Sequence, residues 1–335
     1  PFVGFVILAL INHKLFKMKK LFIILCLSHT ILYSQSAKYL KYEETIKQVS
    51  DNLTLRVEKI KDNLYLIEGL GAGMGNIGLF VTDNGLIMID NSFEIVEDLI
   101  TSTIRKISTK PFKYILNTHH HYDHSDGNRA YGKMNIPIIS HINVLERQKN
   151  ASKVYGGIFK VLEGFEAPPH EDNELPTITY SKKITLQERD EIINIYYFGP
   201  GHTDGDSIIK FERANVIHAG DSFIMYGLPF IDLIGGGSIK GFIENLNKII
   251  SISNLETIII PGHGPLSNLE KVKQFRNDLK EYYQKTLEGY NYGLSVQEIS
   301  NSIKCDLGKT AAFGEANEVK LNFINSILLE NNITR

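Results

Sequence analysis

Cysteine is scarce in this chain. Its 335 residues include two cysteines, Cys26 in an apolar segment near the start and Cys305 near the end. If the segment around Cys26 is removed on export, Cys305 remains alone, which excludes an internal disulfide. The same scarcity excludes a cluster of thiolate ligands. Any metal ion must therefore be held by nitrogen and oxygen atoms.

An excess of charge of one sign is also missing. The chain has 36 Lys and Arg residues against 38 Asp and Glu residues, a formal net charge of -2. Proteins that bind nucleic acid usually carry a basic patch. The composition therefore argues against DNA, RNA and anionic membrane surfaces as partners.

The apolar run near the N-terminus is too short to span a bilayer as a mature helix. It covers residues 21–27, follows Met18-Lys19-Lys20 and precedes a stretch of small and polar residues. A positively charged N-terminal region, a short apolar run and small residues before the cleavage site are typical of a secretory signal peptide. We therefore predict a signal peptide at residues 18–35 and a periplasmic or secreted protein.

Residues 1–17 contain a second apolar stretch, which we interpret as an upstream extension before a start at Met18. The alternative is one longer membrane anchor that begins at Phe2. Lys and His residues between positions 13 and 20 interrupt such an anchor. We expect no stable membrane anchor after cleavage of the signal peptide.

The remaining chain alternates between strand and helix patterns. An Asn-Gly turn at residues 82–85 predicts a hairpin, and helical spacing follows at 94–107 and again at 239–252. Strands, then helices, then strands and helices again are typical of a sheet-on-sheet core covered by helices. We predict one main domain over 50–285 and a helical segment over 286–335.

Two segments lack a clear pattern. Residues 36–52 are polar, and we interpret them as a lead-in to the domain. Residues 151–180 form a long excursion with Gly and Pro pairs, of a kind that is usually functional or disordered.

A histidine motif follows the short apolar strand predicted at 113–117. His119 and His121 are two residues apart at the strand end, so their rings point to the same side. Asp123 and His124 follow where the chain turns towards a helix. Four ligands can therefore converge from six residues, which is a strong signal for a metal site.

Three further segments repeat this arrangement. Each places a candidate ligand in a glycine-rich turn directly after a predicted strand: residues 201–206, 218–221 and 261–264. Ligands at the ends of rigid strands are placed accurately. The four segments together therefore favour one metal centre over a histidine-rich surface loop.

With these motifs in this order, from about Asn76 to Gly264, the chain resembles the metallo-β-lactamase superfamily. The resemblance implies an α/β fold, a four-layer αββα sandwich, here with extra C-terminal helices. It implies one metal at His119, His121 and His202, and a second at Asp123, His124 and His263. It further implies that Asp221 bridges the two ions and that Asp90 supports the ligand loop without binding metal.

The implied cofactor is a pair of zinc ions, with iron or manganese as alternatives. A hydroxide that bridges the ions would attack a small-molecule substrate, and Asp123 would orient it and receive its proton. The expected activity is cleavage of an ester, thioester, lactone or lactam-type bond. No serine or cysteine nucleophile is required.

Two other activities remain open within the resemblance. One is a true metallo-β-lactamase, which export favours, although β-lactamase subclasses place Cys or Ser where this chain has Asp221. The other is an iron-dependent sulfur dioxygenase with one metal. Retention of His124 and His263 favours two metals and hydrolysis.

Other polar residues have weaker patterns. We expect His120 to point away from the metals, His218 to be a core residue, and His141 and His170 to lie at the surface or in packing. Asp204 and Asp206 are either partners of the histidines or turn residues. Tyr226 and Ser238 are low-ranked candidates for substrate contacts, Ser238 because it opens a helix N-terminus that could receive an anion.

Overall fold

A computed structural model describes residues 39–71, 73–153, 166–225, 227–305 and 316–333. The predicted signal peptide, the upstream extension and Tyr226 lie outside the described residues.

The strands and helices follow one another in mixed order. The strands are β1 Thr54–Lys61, β2 Leu64–Leu70, β3 Ile77–Val81, β4 Leu86–Ile89, β5 Phe112–Leu116, β6 Ile138–His141, β7 Ser152–Lys153, β8 Glu166–Ala167, β9 Ile178–Tyr180, β10 Lys183–Gln187, β11 Ile192–Tyr197, β12 Ser207–Phe211, β13 Val216–His218, β14 Ile258–Ile260 and β15 Ser267–Asn268. The α-helices are α1 Leu40–Asn52, α2 Glu97–Ile107, α3 Tyr122–Ser125, α4 Asn128–Lys133, α5 Ile142–Gln148, α6 Ile239–Ser251, α7 Leu269–Asn291, α8 Val296–Ser302 and α9 Ala316–Glu330. Short 3-10 turns lie at Glu94–Val96, Asp172–Glu174 and Gly220–Ser222.

Two large sheets carry the fold. The first has seven strands in the order β1-β2-β3-β4-β5-β6-β9, and the second has six in the order β10-β11-β12-β13-β14-β15. Hairpins join the antiparallel strands at the start of each sheet, whereas β4-β5, β5-β6, β6-β9 and β13-β14 are parallel. Parallel neighbours end at the same edge of a sheet, so their following loops meet there.

The strands bury both of their sides. In β4, Ile87 and Ile89 pack against the second sheet, while Leu86 and Met88 pack towards α2. In the second sheet, Val216 faces the first sheet and its neighbour Ile217 packs on the helical side. This alternation follows from the two-residue period of a strand. Helices outside two stacked sheets confirm the four-layer αββα fold expected from the sequence.

Local sequence signals account for several element ends. The Asn-Gly hairpin forms as predicted, and Thr82 N–H donates to the carbonyl of Gly85 at 2.9 Å. The helix predicted from residue 94 begins as a 3-10 turn and continues as α2. Ser238 caps α6, since its Oγ accepts from Gly241 N–H at 2.9 Å.

The polar lead-in is a helix that packs on the domain. Tyr42 of α1 is buried, and its hydroxyl donates to Asp126 Oδ2 at 2.6 Å. Asp126 also accepts from the Glu94 amide at 3.0 Å and from Arg129 Nε at 2.8 Å. The helix therefore contacts the loop that follows His124.

The C-terminal helices form their own small core. Three helices follow Asn268 in the described residues, and Ile299, Ile303, Ile324 and Leu328 pack together between them. The predicted boundary at 285/286 falls inside α7, a continuous 23-residue helix. The continuous helix thus joins the two predicted segments without a break.

The excursion at 151–180 contributes a two-stranded ribbon, β7-β8, and then the edge strand β9. Residues 154–165 of this segment lie outside the described residues. Among the helices that the structure describes, none combines the length and the apolar character needed to cross a bilayer.

We expect Tyr42→Phe to lower the free energy of unfolding by about 1.5–3 kcal/mol, because a buried carboxylate loses a hydrogen bond. Chemical denaturation measures the change. Tyr292→Phe is the matched control, since Tyr292 is 85% exposed and should change the stability by less than about 0.5 kcal/mol. Equal stability of the two variants would contradict the role of α1.

Candidate metal centre

The candidate ligands lie where strands end. The segment with His119, His121, Asp123 and His124 follows β5. The segments with Asp221 and His263 follow the parallel neighbours β13 and β14. His202 lies in the turn between β11 and β12. One edge of the two stacked sheets thus collects all the predicted ligands.

The first group consists of His119, His121 and His202. All three rings are buried, and their ligand atoms lie within 4.8 Å of one another. His202 Nε2 is 2.8 Å from His121 Nδ1. Three nitrogen atoms therefore point at one small space.

The second group consists of Asp123, His124 and His263. His263 Nε2 is 3.1 Å from Asp123 Oδ2 and 3.2 Å from His124 Nε2. His124 Nε2 is 3.5 Å from Asp123 Oδ2. This group contains both nitrogen and carboxylate donors within ligand spacing of one ion.

Asp221 lies between the two groups. Its Oδ1 is 3.1 Å from His124 Nε2 and 3.5 Å from His263 Nε2, while its Oδ2 is 3.4 Å from His202 Nε2. One oxygen thus faces each group. A third combination, His119, His124 and Asp221, also has ligand spacing.

The residues present suit a metal ion. Within the described part of the chain, His119 Nε2 is buried without any hydrogen-bond partner. A buried polar atom without a partner is costly unless something binds it. Imidazole and carboxylate donors suit zinc or another first-row ion.

The histidines of the two ligand groups differ in the direction of their pKa shifts. Burial lowers the pKa of His119 well below its usual range and lowers that of His202 to about 4. Burial acts in the same direction on His263, but the Asp221 and Asp123 carboxylates outweigh it and raise its pKa to about 9. The carboxylates likewise raise the pKa of His124 against burial. Without an ion, the second group therefore retains protons that an ion would displace.

The family model described as the metallo-beta-lactamase superfamily matches residues 70–263, more than half of the chain. The chain belongs to the metallo-β-lactamase superfamily. It is thus a metallo-β-lactamase-fold hydrolase with His and Asp clusters that can bind metal.

Individual relatives are distant. The chain is 20% identical to metallo-beta-lactamase IND-1 of Chryseobacterium indologenes over 210 residues, 61% of this chain and 80% of that protein. Among solved structures, a metallo-beta-lactamase from Pontibacter korlensis superposes with a TM-score of 0.54 at 17% identity, over 68% of this chain and 99% of that one. The DIM-1 metallo-beta-lactamase gives 0.53 at 17% identity, with the same coverage. At this identity the structures establish the fold alone.

Asp90 braces the ligand loop of this superfamily fold. Its Oδ1 accepts from Thr118 N–H at 2.7 Å, and its Oδ2 lies 2.7 Å from both Thr118 Oγ1 and His124 Nδ1. Its backbone has a φ of 58°, a left-handed conformation that Asp and Asn tolerate. Asp90 binds one nitrogen of His124, so the other nitrogen is directed into the second group.

Two supporting contacts were not predicted from the sequence. His121 Nε2 lies 3.0 Å from Asp232 Oδ2, and His202 Nδ1 lies 2.7 Å from the carbonyl oxygen of Phe230. Partners of this kind set the ring orientation of a ligand histidine. The only local signal was that Asp232 comes three residues before a glycine run.

The structure separates the roles of Asp204 and Asp206. Asp206 accepts from the backbone and hydroxyl of Thr203, and burial raises its pKa to about 7. It therefore shapes the turn that holds His202. Asp204 forms an ion pair with Arg147 at 2.6 Å instead.

The remaining histidines have separate surroundings. His218 Nε2 is 3.2 Å from the carbonyl oxygen of Asn76, and the ring belongs to none of the candidate metal groups in the described residues. His141 caps α5 and stacks on Tyr197 at 3.8 Å. His120 is buried next to Asp232 rather than in either of the two ligand groups.

The N-terminus of α6 has an internal occupant. Glu330 of α9 accepts from Ser238 Oγ at 2.5 Å and from Ile239 N–H at 3.1 Å. The Glu330 carboxylate thus occupies the helix N-terminus at which the sequence suggested a substrate anion. We therefore do not retain Ser238 as a substrate contact.

We expect Asp90→Asn to weaken metal binding by about 10- to 100-fold, because an amide NH2 replaces one accepting oxygen beside Thr118 and His124. Asparagine tolerates the left-handed backbone, so the loop itself is preserved. Competition with a chromophoric chelator measures the affinity. The control is Asp83→Asn, because Asp83 is an exposed partner of Arg189. An equal loss of metal affinity in both variants would contradict a specific supporting role of Asp90.

We expect metal binding to the second group to release protons at pH 7. His263 has a pKa of about 9 without metal, so it is protonated at pH 7 and must lose that proton to coordinate. The number of protons released should fall as the pH is raised from 7 towards 10. Calorimetric titrations in buffers of different ionisation enthalpy measure it, and pH-independent release would contradict the assignment.

Proposed function

We propose that this chain is an exported dinuclear zinc hydrolase that cleaves an ester, thioester, lactone or lactam-type bond of a small molecule. The observation that supports two ions is the position of Asp221. Its two oxygens face different ligand groups, at 3.1 Å from His124 Nε2 and 3.4 Å from His202 Nε2. A carboxylate in that position can bind both ions.

The donor set supports zinc. Five imidazoles and two carboxylates would hold the pair: His119, His121 and His202 for one ion, Asp123, His124 and His263 for the other, with Asp221 shared. Zinc accepts mixed nitrogen and oxygen ligands at about 2.0–2.2 Å. Donor atoms 3.1–3.5 Å apart are close to the separations that such bond lengths require.

When bound, a pair of zinc ions activates a water molecule and polarises the substrate oxygen. The protein's part is to orient that water and to receive its proton. Asp123 suits this role, because its side chain is 17% exposed while those of Asp221 and His124 are 9% and 0% exposed. Asp123 is thus the carboxylate of the centre most open to an incoming substrate.

The charge on Asp123 also supports the role. Burial works against ionisation, but His124 and His263 outweigh it and lower the pKa of the Asp123 carboxyl. The group is therefore already ionised near neutral pH, which is the state that a metal ligand and a proton acceptor both require.

A true β-lactamase is the second candidate. Both the curated relative and the superposed structures are metallo-β-lactamases. β-Lactamase subclasses carry Cys or Ser at the position where this chain has Asp221. We therefore rank β-lactam hydrolysis below a broader hydrolase activity.

Metal content and turnover test these proposals together. We expect about two zinc ions per chain and chelator-sensitive hydrolysis within a panel of esters, thioesters, lactones and a chromogenic cephalosporin. Asp123→Ala should lower kcat by about 10²–10⁴-fold, because it removes the proton acceptor and one ligand. Asp62→Ala, on an exposed side chain, should keep full activity.

Metal content and substrate range separate the three candidate activities. Cephalosporin turnover that is lost in Asp123→Ala would make the chain a working β-lactamase. Two zinc ions with turnover of esters or lactones alone would support the broader hydrolase. About one iron and no zinc would contradict both and favour the sulfur dioxygenase.

We propose export on the basis of residues 18–35. Expression in a Gram-negative host should yield periplasmic protein whose N-terminus, read by mass spectrometry, lies near residue 36. Leu25→Asp, which places a charge in the apolar run, should retain the protein in the cytoplasm. Full-length protein in the membrane fraction would favour the longer anchor instead.

A further inference from the structure

A cavity lies beside the metal centre, on the other side of His121. The Nδ1 of His121 is 2.8 Å from His202, while its Nε2 is 3.0 Å from Asp232, so Asp232 lies across the ring from the ligand group. The cavity next to Asp232 has a volume of about 440 Å³. His120, Asn143, Glu146, Arg147, Asp204 and Asp232 are among the residues that line it.

His120 is unusually placed in the wall of this cavity. It is 6% exposed, and within the described residues its Nδ1 has no hydrogen-bond partner. Its Nε2 is 3.7 Å from Asp232 Oδ2, which is too long for a hydrogen bond. The nitrogen nearest to the carboxylate is thus Nε2, while the unpartnered Nδ1 is the other nitrogen of the ring.

That separation is close to the spacing of two ligands of one ion. Donors at about 2.0–2.2 Å from a tetrahedral zinc lie about 3.3–3.6 Å apart. In the metal centre, His263 Nε2 and Asp221 Oδ1 are 3.5 Å apart, as are His124 Nε2 and Asp123 Oδ2. The His120–Asp232 pair, at 3.7 Å, needs only a small shift to match.

The Asp232 carboxylate is held firmly. Its Oδ1 accepts from Gly235 N–H at 2.8 Å, and its Oδ2 lies 3.0 Å from His121 Nε2. The second lone pair of Oδ2 remains for another partner. Asp232 can therefore bind an ion while it keeps its contact with His121.

The charges in the wall favour a cation over an anion. Arg147 is paired with Asp204 at 2.6 Å, and Glu146 is paired with Lys149 at 2.8 Å. Among the described residues, Asp232 forms ion pairs only with the histidines His120 and His121. One carboxylate charge thus remains without a lysine or arginine partner.

We propose that His120 and Asp232 form a third divalent-cation site, separate from the dinuclear centre. An imidazole and a carboxylate suit a borderline ion such as Zn²⁺ or Cu²⁺. Water from the cavity would fill the other ligand positions, and the cavity is also the entry path. The proposed donors are not ligands of the dinuclear centre, although Asp232 also contacts its ligand His121 and the three residues have ligand spacing.

Zinc counting by native mass spectrometry tests the site, with zinc added in excess and then lowered stepwise. We expect wild-type protein to hold one more equivalent than His120→Gln at the same free zinc concentration. The difference between the two proteins is the readout, and because His120 lies between the ligands His119 and His121, the position of the lost ion is read from the crystals described below. Equal numbers in the two proteins would overturn the proposal.

A matched control comes from another histidine and carboxylate. His170 Nδ1 is also buried without a partner and lies 3.8 Å from Glu174 Oε2, but Arg129 lies 3.2 Å from the same oxygen and opposes a cation. His170→Gln should therefore bind as many zinc ions as the wild type. If it loses one equivalent too, the loss in His120→Gln is not specific and the proposal fails.

Crystals of the wild-type protein avoid any doubt about the folding of a variant. After a soak in excess zinc, an anomalous difference peak within bonding distance of His120 Nε2 and Asp232 Oδ2 would support the site. Zinc at His119 and His121 with no peak between His120 and Asp232 would overturn it.

Discussion

Buried imidazoles and carboxylates in mutual contact are the feature on which this structure depends. His124, His263 and Asp221 have atoms within 3.1–3.5 Å of one another, and His119 has a ring nitrogen without a partner. Burial of such groups is costly unless each one is paired or binds an ion. The raised pKa of His263 shows how the chain relieves part of this cost without metal, since a proton takes the place of the ion. Metal binding and stability of this edge are thus coupled.

The rest of the fold holds these groups in position. The parallel strands β13 and β14 bring the loops of Asp221 and His263 to one edge, and Asn76 from the first sheet joins them by donating to the carbonyl oxygens of Pro261 and Gly264 at 2.8 Å. Further out, Asp90 orients His124, Asp232 orients His121, and Tyr42 contacts the loop after His124 through Asp126. Each ligand loop therefore has a buried polar contact with a distant part of the chain.

Several features could be predicted because their signals are local. The hairpin at 82–85 follows from Asn-Gly, the start of α6 from Ser238, and the histidine motif from its position after an apolar strand. The contact of Asp232 with His121 had no such signal, because the two residues are 111 positions apart in the chain. The contact of Tyr42 with Asp126 spans 84 positions, and that of Ser238 with Glu330 spans 92. Pairs of this kind depend on how whole elements pack, which local patterns do not report.

The sequence by itself determined the family, the layered fold and the residue types of the metal centre, because ligand spacing and strand periodicity are properties of short segments. It also excluded a cluster of thiolate ligands, since the chain has only two cysteines. Only the tertiary structure decided which atoms face one another: that each oxygen of Asp221 faces its own ligand group, that Glu330 occupies the N-terminus of α6, and that His120 lies against Asp232. Those relations join segments far apart in the chain, and the packing of both sheets against their helices sets the distances between them.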